Sequence, residues 1–172
     1  VTYNLRKEGF NMRIGQSEDI HQLVKNRKLI LGGVEIQSEL GCKAHSDGDA
    51  LVHAIAEAII GALGLGDLGH FFPDNDPQYE NISSLILLKK IVQIMKDKHY
   101  EVSNVDSLII IEKPKMASYI PQMKNNLSKI LEINPEQVNV KATCSETLGF
   151  VGQSLGLRCQ AVVLLQEAKH NE

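Results

Sequence analysis

The segment HSDGDALVHAIAEAIIGAL, residues 45–63, contains the clearest helix signal in the chain. Its apolar residues recur at the spacing of one helix face, namely at Leu51, Ile55, Ile59 and Ala62. Ser46 followed three residues later by Asp49 resembles a capping arrangement, and Gly64 follows the last apolar position. The pattern predicts a helix over 47–63 whose first turn is crowded with polar groups.

Strand and helix patterns alternate on both sides of this helix. The predicted strands lie at 12–15, 105–111, 138–142 and 157–165, with a hairpin over 28–36 that turns at Gly32-Gly33. The other predicted elements are helices at 83–98 and 120–131 and a polar loop at 67–79. This alternation predicts an α/β fold of the two-layer α+β type, in which helices pack against one sheet.

The composition is that of one folded domain. The chain has 172 residues, of which 43% are hydrophobic and 23% charged, and these values argue against disorder. We assign 12–172 to a single domain and interpret 1–11 as a leader, a tag or a linker remnant. The formal net charge of -3 and the 5% of aromatic residues argue against nucleic-acid binding.

Membrane and disulfide classes are also disfavoured. The sequence contains neither an apolar run of the roughly 18 residues that span a bilayer nor a secretory signal pattern. Its cysteines, Cys42, Cys144 and Cys159, are odd in number and have no C-x-x-C spacing. We therefore expect a reducing compartment, in which histidines and carboxylates supply the ligands of any bound metal.

Two imidazoles and one carboxylate form the first candidate site. Asp19 and His21 alternate along an extended segment, so their side chains point to the same face. With His53 they suit tetrahedral zinc whose fourth position is open to substrate, which is typical of catalytic zinc. The alternatives are a D-x-H pair that arises by chance and a solvated helix face on which His53 lies between Asp49 and Glu57.

Further segments combine polar groups with turn residues, and each has a structural explanation as well. The helix start at 45–49 attracts anions through its backbone N–H groups. Segments 67–69 and 72–76 form either a surface loop or a loop that lines a substrate. At 113–116 two lysines flank a proline, which fits a solvated turn or a phosphate contact. Segment 143–146 offers hydroxyls and a carboxylate for phosphate and a hard cation.

These motifs occur in an order that resembles one known family. They are D-x-H at 19–21, AHSDGD-x-x-x-H at 44–53, GD-x-G at 66–69, FPD-x-D at 72–76, PKM at 114–116, NVKAT at 139–143 and LGF at 148–150. Over about 12–166 the chain is similar to the 2-C-methyl-D-erythritol 2,4-cyclodiphosphate synthase family of the non-mevalonate isoprenoid pathway. The resemblance implies a mixed sheet with helices on one face, assembled as a homotrimer with active sites between neighbouring subunits.

The resemblance also implies a reaction, that of a phosphorus–oxygen lyase. Members convert 4-diphosphocytidyl-2-C-methyl-D-erythritol 2-phosphate to 2-C-methyl-D-erythritol 2,4-cyclodiphosphate and CMP, by attack of the 2-phosphate on the β-phosphorus. The implied cofactors are one Zn²⁺ per site and a second ion, Mg²⁺ or Mn²⁺. The alternatives are a low-activity or non-catalytic trimeric homologue and a metal-dependent phosphodiesterase.

Site residues follow from the resemblance position by position. The implied metal ligands are Asp19, His21 and His53 for zinc and Glu146 for the second ion. His45 and Cys144 occupy the positions implied to be catalytic. The implied substrate-binding residues are Asp19, His21, His45, Ser46, Asp67, Leu68, Gly69, Phe72, Pro73, Asp74, Asn75, Asp76, Ile111, Glu112, Lys113, Pro114, Lys115, Met116, Ala117, Thr143, Cys144, Ser145, Glu146, Phe150 and Gln153.

Three departures from the family pattern bear on function. Ser17-Glu18 stands where the family has glycine and an aromatic residue, and Gln153 stands where it has arginine. Those positions line a central trimer cavity that holds isoprenoid diphosphates in some members, so we expect such ligands to bind weakly or not at all. Cys144 replaces a threonine, and a thiol is a poorer hydrogen-bond donor than a hydroxyl, which predicts a slower enzyme.

The implied partners are the cytidyl diphosphate substrate and other copies of the chain. Fusion or association with a cytidylyltransferase is an alternative that the sequence leaves open. We expect no nucleic-acid or membrane partner. The expected location is the bacterial cytoplasm, with a plastid-type organelle as the alternative.

Overall fold

The computed structural model describes residues 11–72 and 81–168 of the protein. Within these residues, a mixed sheet forms one of two layers. The strands are β1 Arg13–Lys25, β2 Leu29–Leu31, β3 Val34–Ile36, β4 Leu40–Cys42, β5 Tyr100–Ile110, β6 Val138–Thr143 and β7 Gly156–Glu167. Five of them pair in the order β4-β1-β7-β5-β6, and β2 pairs with β3 as a separate hairpin. The pairs in the larger sheet are antiparallel except β5 with β6, which are parallel.

Helices form the second layer. They are α1 Ala50–Leu63, α2 Leu68–Phe71, α3 Ser84–Asp97, α4 Ile120–Leu131 and α5 Gly149–Gly152, with a 3₁₀ turn at Pro135–Gln137. The helix α1 packs on β1 and β7, α3 packs on β5, and α4 packs on β6. The predicted two-layer fold, with a mixed sheet and helices on one face, is confirmed. The assignment of 1–11 as a leader stays a prediction, since 1–10 lie outside the described residues.

The strand β1 is much longer than the predicted strand at 12–15. A half-buried strand usually alternates apolar and polar residues, and β1 does not show this pattern because its side toward the helices carries small and polar residues. These residues are Gly15, Ser17, Asp19 and His21. The strand continues because β7 pairs with it from Arg13 to Gln22. Polar residues on the buried side of a strand are unusual, and here they lead directly to the site.

The helix α1 begins at Ala50 and not at 47. The Asp49 side chain caps it by accepting a hydrogen bond from the Val52 N–H, so the predicted capping role of Ser46 is wrong. Gly64 ends the helix in the left-handed conformation, as predicted. The short elements α2, β4 and α5 were not predicted, because three or four residues are too few to establish a periodicity.

Gly15 allows β1 and α1 to approach closely. A Cβ atom at this position would lie 1.8 Å from the carbonyl oxygen of Ala58. No side chain fits there, so backbone meets backbone. The contact fixes the separation between the strand that carries Asp19 and the helix that carries His53.

The predicted hairpin β2–β3 is also tied to α1. Its turn residues Gly32 and Gly33 have φ angles of 59° and 69°, which glycine adopts without strain. Their N–H groups donate to the two carboxylate oxygens of Asp49, at 2.9 Å and 2.6 Å. The residue that caps α1 therefore also holds the hairpin against the helix start.

The face of the sheet opposite the helices exposes apolar side chains. Ile14, Ile20 and Val162 are 71%, 52% and 39% exposed. Near them Glu18 accepts hydrogen bonds of 2.6 Å each from Arg158 and Gln160. Among the residues that the structure describes, no helix is long and apolar enough to cross a membrane.

Candidate active site and metal centre

Asp19, His21 and His53 converge on one point between β1 and α1. The Asp19 Oδ2 atom lies 3.0 Å from His21 Nε2 and 3.1 Å from His53 Nδ1. The two histidine nitrogens are 3.4 Å apart. Within the described ranges, this is the one group of three or more histidine, cysteine or carboxylate side chains that brings its ligand atoms close enough for a metal ion.

This geometry fits a tetrahedral zinc ion. Nitrogen and oxygen ligands lie about 2.0–2.1 Å from zinc, which places tetrahedral ligand atoms about 3.3 Å from one another. The three separations, 3.0, 3.1 and 3.4 Å, match that spacing. Two imidazoles and one carboxylate are a donor set typical of catalytic zinc, so the residues present fit the ion that the sequence predicted.

Hydrogen bonds fix which nitrogen of each histidine faces the metal position. His21 Nδ1 lies 3.2 Å from the Lys43 carbonyl oxygen, to which an N–H at that atom donates. His53 Nε2 lies 2.8 Å from Ser84 Oγ, whose hydroxyl in turn contacts a carboxylate oxygen of Asp47. With a metal bound, each histidine would therefore direct a lone pair toward the metal position, an arrangement typical of metal-ligating histidines.

Sequence reasoning missed Ser84 and the contact that Asp47 makes with it. Ser84 is buried at the start of α3, and its N–H donates to Asp47 Oδ2 at 3.0 Å. A serine at a predicted helix start is read as a cap, and nothing in the sequence pairs it with residues more than thirty positions earlier. The polar HSDGD segment, which contains Asp47, was the only feature of the sequence that indicated a functional role for this region.

The protonation of the triad follows from mutual hydrogen bonding. Burial would raise the pKa of Asp19, but hydrogen bonds from His21 and His53 hold that pKa well below its usual range. Burial would lower the pKa of His21, but the hydrogen bond and charge of Asp19 outweigh burial and raise it. Without metal, the cluster therefore holds a carboxylate that favours a cation beside it.

A cavity of 410 Å³ opens beside the triad. It is lined by Asp19, His21, Lys43, Ala44, His45, Ser46, His53, Glu57, Leu68, Gly69, Phe72 and Leu87. The predicted substrate residues from the HSDGD and GDLG segments thus meet the metal ligands in one place. Asp67 is not among the lining residues, and its side chain caps α2 by accepting from the His70 N–H. Pro73, Asp74, Asn75 and Asp76 lie outside the described residues.

A second cavity, of 430 Å³, lies beyond the ends of the parallel strands β5 and β6. It is lined by Ile111, Glu112, Pro114, Lys115, Met116, Ala117, Ile120, Ala142, Thr143 and Cys144. The exposed Cys144 thiol donates to Glu146 Oε1 at 3.2 Å, and the Ser145 N–H donates to Glu112 Oε2 at 3.3 Å. The structure therefore gathers residues of two predicted substrate-binding segments, 111–117 and 143–146, which are remote in sequence, around one opening.

Most of the predicted site residues that the structure describes line one or the other of these two cavities. Lys113 lines a third cavity, of 660 Å³, with Pro114 and residues 37–40. Phe150, 40% exposed, lies in α5, and Gln153 is the residue that ends it. Glu146 is not part of the Asp19, His21 and His53 cluster in the described part of the chain.

Comparisons with known proteins identify the family of this chain. The model of the YgbB family matches residues 12–166. A 2-C-methyl-D-erythritol 2,4-cyclodiphosphate synthase from Fusobacterium nucleatum is 54% identical over 158 residues, which cover 92% of this chain and 99% of that protein.

Solved structures show the same fold. The bifunctional IspDF of Campylobacter jejuni matches with a TM-score of 0.89 and 37% identity; the match covers 92% of this chain, which spans 43% of that longer protein. The CDP complex of Plasmodium falciparum IspF matches with a TM-score of 0.81 and 34% identity over 92% of this chain and 98% of that one. This chain therefore belongs to the YgbB family, that of the 2-C-methyl-D-erythritol 2,4-cyclodiphosphate synthases.

Proposed function

We propose that this protein converts 4-diphosphocytidyl-2-C-methyl-D-erythritol 2-phosphate to 2-C-methyl-D-erythritol 2,4-cyclodiphosphate and CMP. The observation that carries the proposal is the cluster of Asp19, His21 and His53 at the wall of a cavity. It occurs in a chain that is 54% identical to a protein named 2-C-methyl-D-erythritol 2,4-cyclodiphosphate synthase. A bond forms between a 2-phosphate oxygen and the β-phosphorus. The bond from the β-phosphorus to the oxygen that bridges to the α-phosphate breaks, and CMP leaves with that oxygen and the bonding electrons.

The chain's own residues position the two reacting phosphates. His45 and Ser46 at the wall of the first cavity hold one phosphate and the methylerythritol part, together with 67–69 and 72–76. In the second cavity, backbone groups near Met116 hold the cytosine, while Lys115 and the Thr143 hydroxyl face the diphosphate. Joining groups of one molecule is chiefly a problem of orientation, so this holding supplies much of the rate.

Asp19, His21 and His53 would hold Zn²⁺, and Glu146 would hold Mg²⁺ or Mn²⁺ together with substrate phosphate. When bound, these cations offset the repulsion between the phosphates and stabilise the charge on the departing CMP. The spacing of the triad supports zinc, as argued above. The exposed carboxylate of Glu146 suits a hard cation that keeps several waters.

We also propose that the protein is a homotrimer with its sites between subunits. Two observations support this assembly. The sheet face opposite the helices exposes Ile14, Ile20 and Val162, and Arg158 Nε there is buried with no hydrogen-bond partner among the described residues. A neighbouring copy would cover the apolar patch and would bring its second cavity toward the first cavity of this chain.

The proposed setting is the bacterial cytoplasm, because the relatives include a bacterial protein matched over 92% of this chain. A plastid-type organelle is the alternative. Association with a cytidylyltransferase is proposed as well, since the Campylobacter jejuni structure is described as a bifunctional IspDF.

Phosphorus NMR of the purified protein with substrate, Zn²⁺ and Mg²⁺ tests the reaction. We expect a cyclic diphosphate together with equimolar CMP, and sedimentation of the protein as a trimer. CMP with a linear product would establish the phosphodiesterase instead. Bound metal without turnover would establish the non-catalytic homologue, which Cys144, Gln153 and Ser17-Glu18 favour.

A further inference from the structure

Arg27 lies in the turn between β1 and β2, and its side chain reaches the segment that carries His45 and Ser46. Its Nε donates to the Cys42 carbonyl oxygen at 3.2 Å. Its Nη2 donates to the carbonyl oxygens of Ala44 and Ser46, at 3.3 Å and 2.8 Å. The two residues that flank His45 are thus both held by one nitrogen of the guanidinium group.

The segment needs such support because it has no regular structure of its own. Residues 43–49 belong to no helix or strand, although His45 and Ser46 line the cavity beside the triad. Another tether comes from the Asn81 N–H, which donates to the His45 carbonyl oxygen at 2.8 Å. The Asn81 side chain also accepts from Arg27 Nη1 at 3.5 Å. Arg27 therefore connects both supports of the segment.

The backbone of Arg27 is fixed as well. A Cβ atom at Gly41 would lie 2.4 Å from the Arg27 carbonyl oxygen, so β4 packs directly on this turn. The next residue of β4, Cys42, accepts the bond from Arg27 Nε. Arg27 is consequently held both at its backbone and at its guanidinium group.

Arginine suits this task and lysine does not. The acceptors are carbonyl oxygens in different directions, and the guanidinium group offers five donors in a fixed plane. An ammonium group is a compact donor on a flexible stem and cannot hold three separated carbonyl groups in one geometry.

We propose that Arg27 is a positioning residue, which sets His45 and Ser46 against the metal-binding cavity without touching substrate. Ser46 connects Arg27 directly to the metal-binding cluster. Arg27 binds the carbonyl oxygen of Ser46, and the hydroxyl of Ser46 lies 3.4 Å from His53 Nε2. The kinetic part of this inference rests on the proposed function, and the structural part does not.

The kinetic test compares R27A and R27K with K28A, a matched control at the next position whose exposed ammonium pairs with Glu35. At saturating zinc we expect R27A to lower kcat/KM by about 10- to 100-fold, because small misplacements of a substrate-holding group are costly. We expect R27K to recover little of the loss, added guanidinium ion to restore part of it in R27A, and K28A to match the parent. Bound zinc should stay at one equivalent throughout.

A spectroscopic test does not depend on turnover. Ring signals of ¹⁵N-histidine, assigned with H45N, should shift or broaden for His45 in R27A and R27K and stay unchanged in K28A. Unchanged His45 signals, or a kcat/KM within twofold of the parent, would overturn the proposal. If R27A does not fold, R27K decides. If the parent protein makes no cyclic product, the proposed function fails while the His45 spectrum still decides the role of Arg27.

Discussion

The Ser84 hydroxyl lies 2.8 Å from His53 Nε2, so that the first residue of α3 orients a metal-ligating histidine of α1. The same hydroxyl donates to Asp47, and this makes Ser84 the middle member of a buried polar chain. The contact determines which nitrogen of His53 is left to bind a metal.

Removal of this hydroxyl is expected to weaken zinc binding. S84A leaves the His53 N–H and the Asp47 carboxylate without their shared partner, and loss of such an outer contact costs about 10- to 100-fold in metal affinity. Competition with a chromophoric chelator measures the change. The matched control is S83A, because the neighbouring Ser83 makes no side-chain capping bond. Equal zinc affinities for S84A and S83A would contradict the role assigned to Ser84.

Restoring a hydroxyl at position 144 is expected to raise the rate of catalysis. The Cys144 thiol donates weakly to Glu146 at 3.2 Å, whereas a threonine hydroxyl donates strongly to a carboxylate or a phosphate. A gain of about 1 kcal/mol corresponds to roughly a fivefold higher kcat in C144T. The measurement is steady-state turnover with C144A as the comparison, which we expect to be slower than the parent. An unchanged kcat in C144T would show that this contact has no part in the rate.

The Glu18 carboxylate is expected to make stability depend on pH. Its hydrogen bonds to Arg158 and Gln160, aided by the charge of Arg158, lower the pKa of Glu18. A lowered pKa in the folded state means that the stabilisation is present above about pH 4.5 and is lost as the pH falls through the folded-state pKa. E18Q should be less stable than the parent at pH 7, by up to about 1 kcal/mol, and the difference should shrink as the pH falls below about 4.5.

Urea denaturation across this pH range measures the difference. The exposed Glu39 supplies the control, since E39Q should track the parent at every pH. A constant gap between E18Q and the parent down to pH 3 would mean that the effect is not electrostatic.

The same carboxylate is expected to weaken the binding of isoprenoid diphosphates in the central cavity that a trimer would enclose. Glu18, which is already paired with Arg158, stands where the resemblance implies an aromatic residue, and the uncharged Gln153 stands where it implies an arginine. Geranyl diphosphate should therefore produce no thermal shift in the parent protein. The double variant E18F/Q153R should gain one. A clear shift with the parent protein would refute the expectation.

Alanine at position 15 is expected to be strongly destabilising. The new Cβ would lie 1.8 Å from the Ala58 carbonyl oxygen, so that β1 and α1 must separate, at a cost of about 3 kcal/mol. Gly61 is a matched control in α1, because a Cβ there meets nothing within 4 Å and alanine favours helix by about 1 kcal/mol. Thermal unfolding should therefore move in opposite directions in G15A and G61A. A G15A protein as stable as its parent would show that the strand and the helix can move apart freely.

The sequence predicts the helices and the metal ligands well, for different reasons. Long amphipathic helices such as the one at 120–131 can be predicted because their apolar residues recur with the period of a helix, and the structure places α4 over that range. Asp19, His21 and His53 were predictable from ligand chemistry together with the alternation of side chains along a strand.

What escaped prediction depends on contacts that are remote in sequence. β1 was underestimated because its buried side is polar, and Ser84 was missed because its partners lie on α1 and in the segment before it. The four oxygens that Arg27 holds likewise come from β4, its following segment and Asn81. Such tertiary hydrogen bonds have no local signature, although they orient the groups that sequence motifs reveal.

The backbone contact at Gly15 has a consequence for how a metal meets this protein. Because strand and helix touch without a side chain between them, the aperture between Asp19 and His53 is set by incompressible atoms. The metal-ligating side chains are then already positioned when the chain has folded. A metal that binds afterwards needs little rearrangement of the protein, so little of its binding free energy is spent on ordering the ligands. Selection among cations thus becomes a matter of ionic radius against a fixed opening, and variation in the surrounding loops can alter the substrate while leaving the metal preference intact.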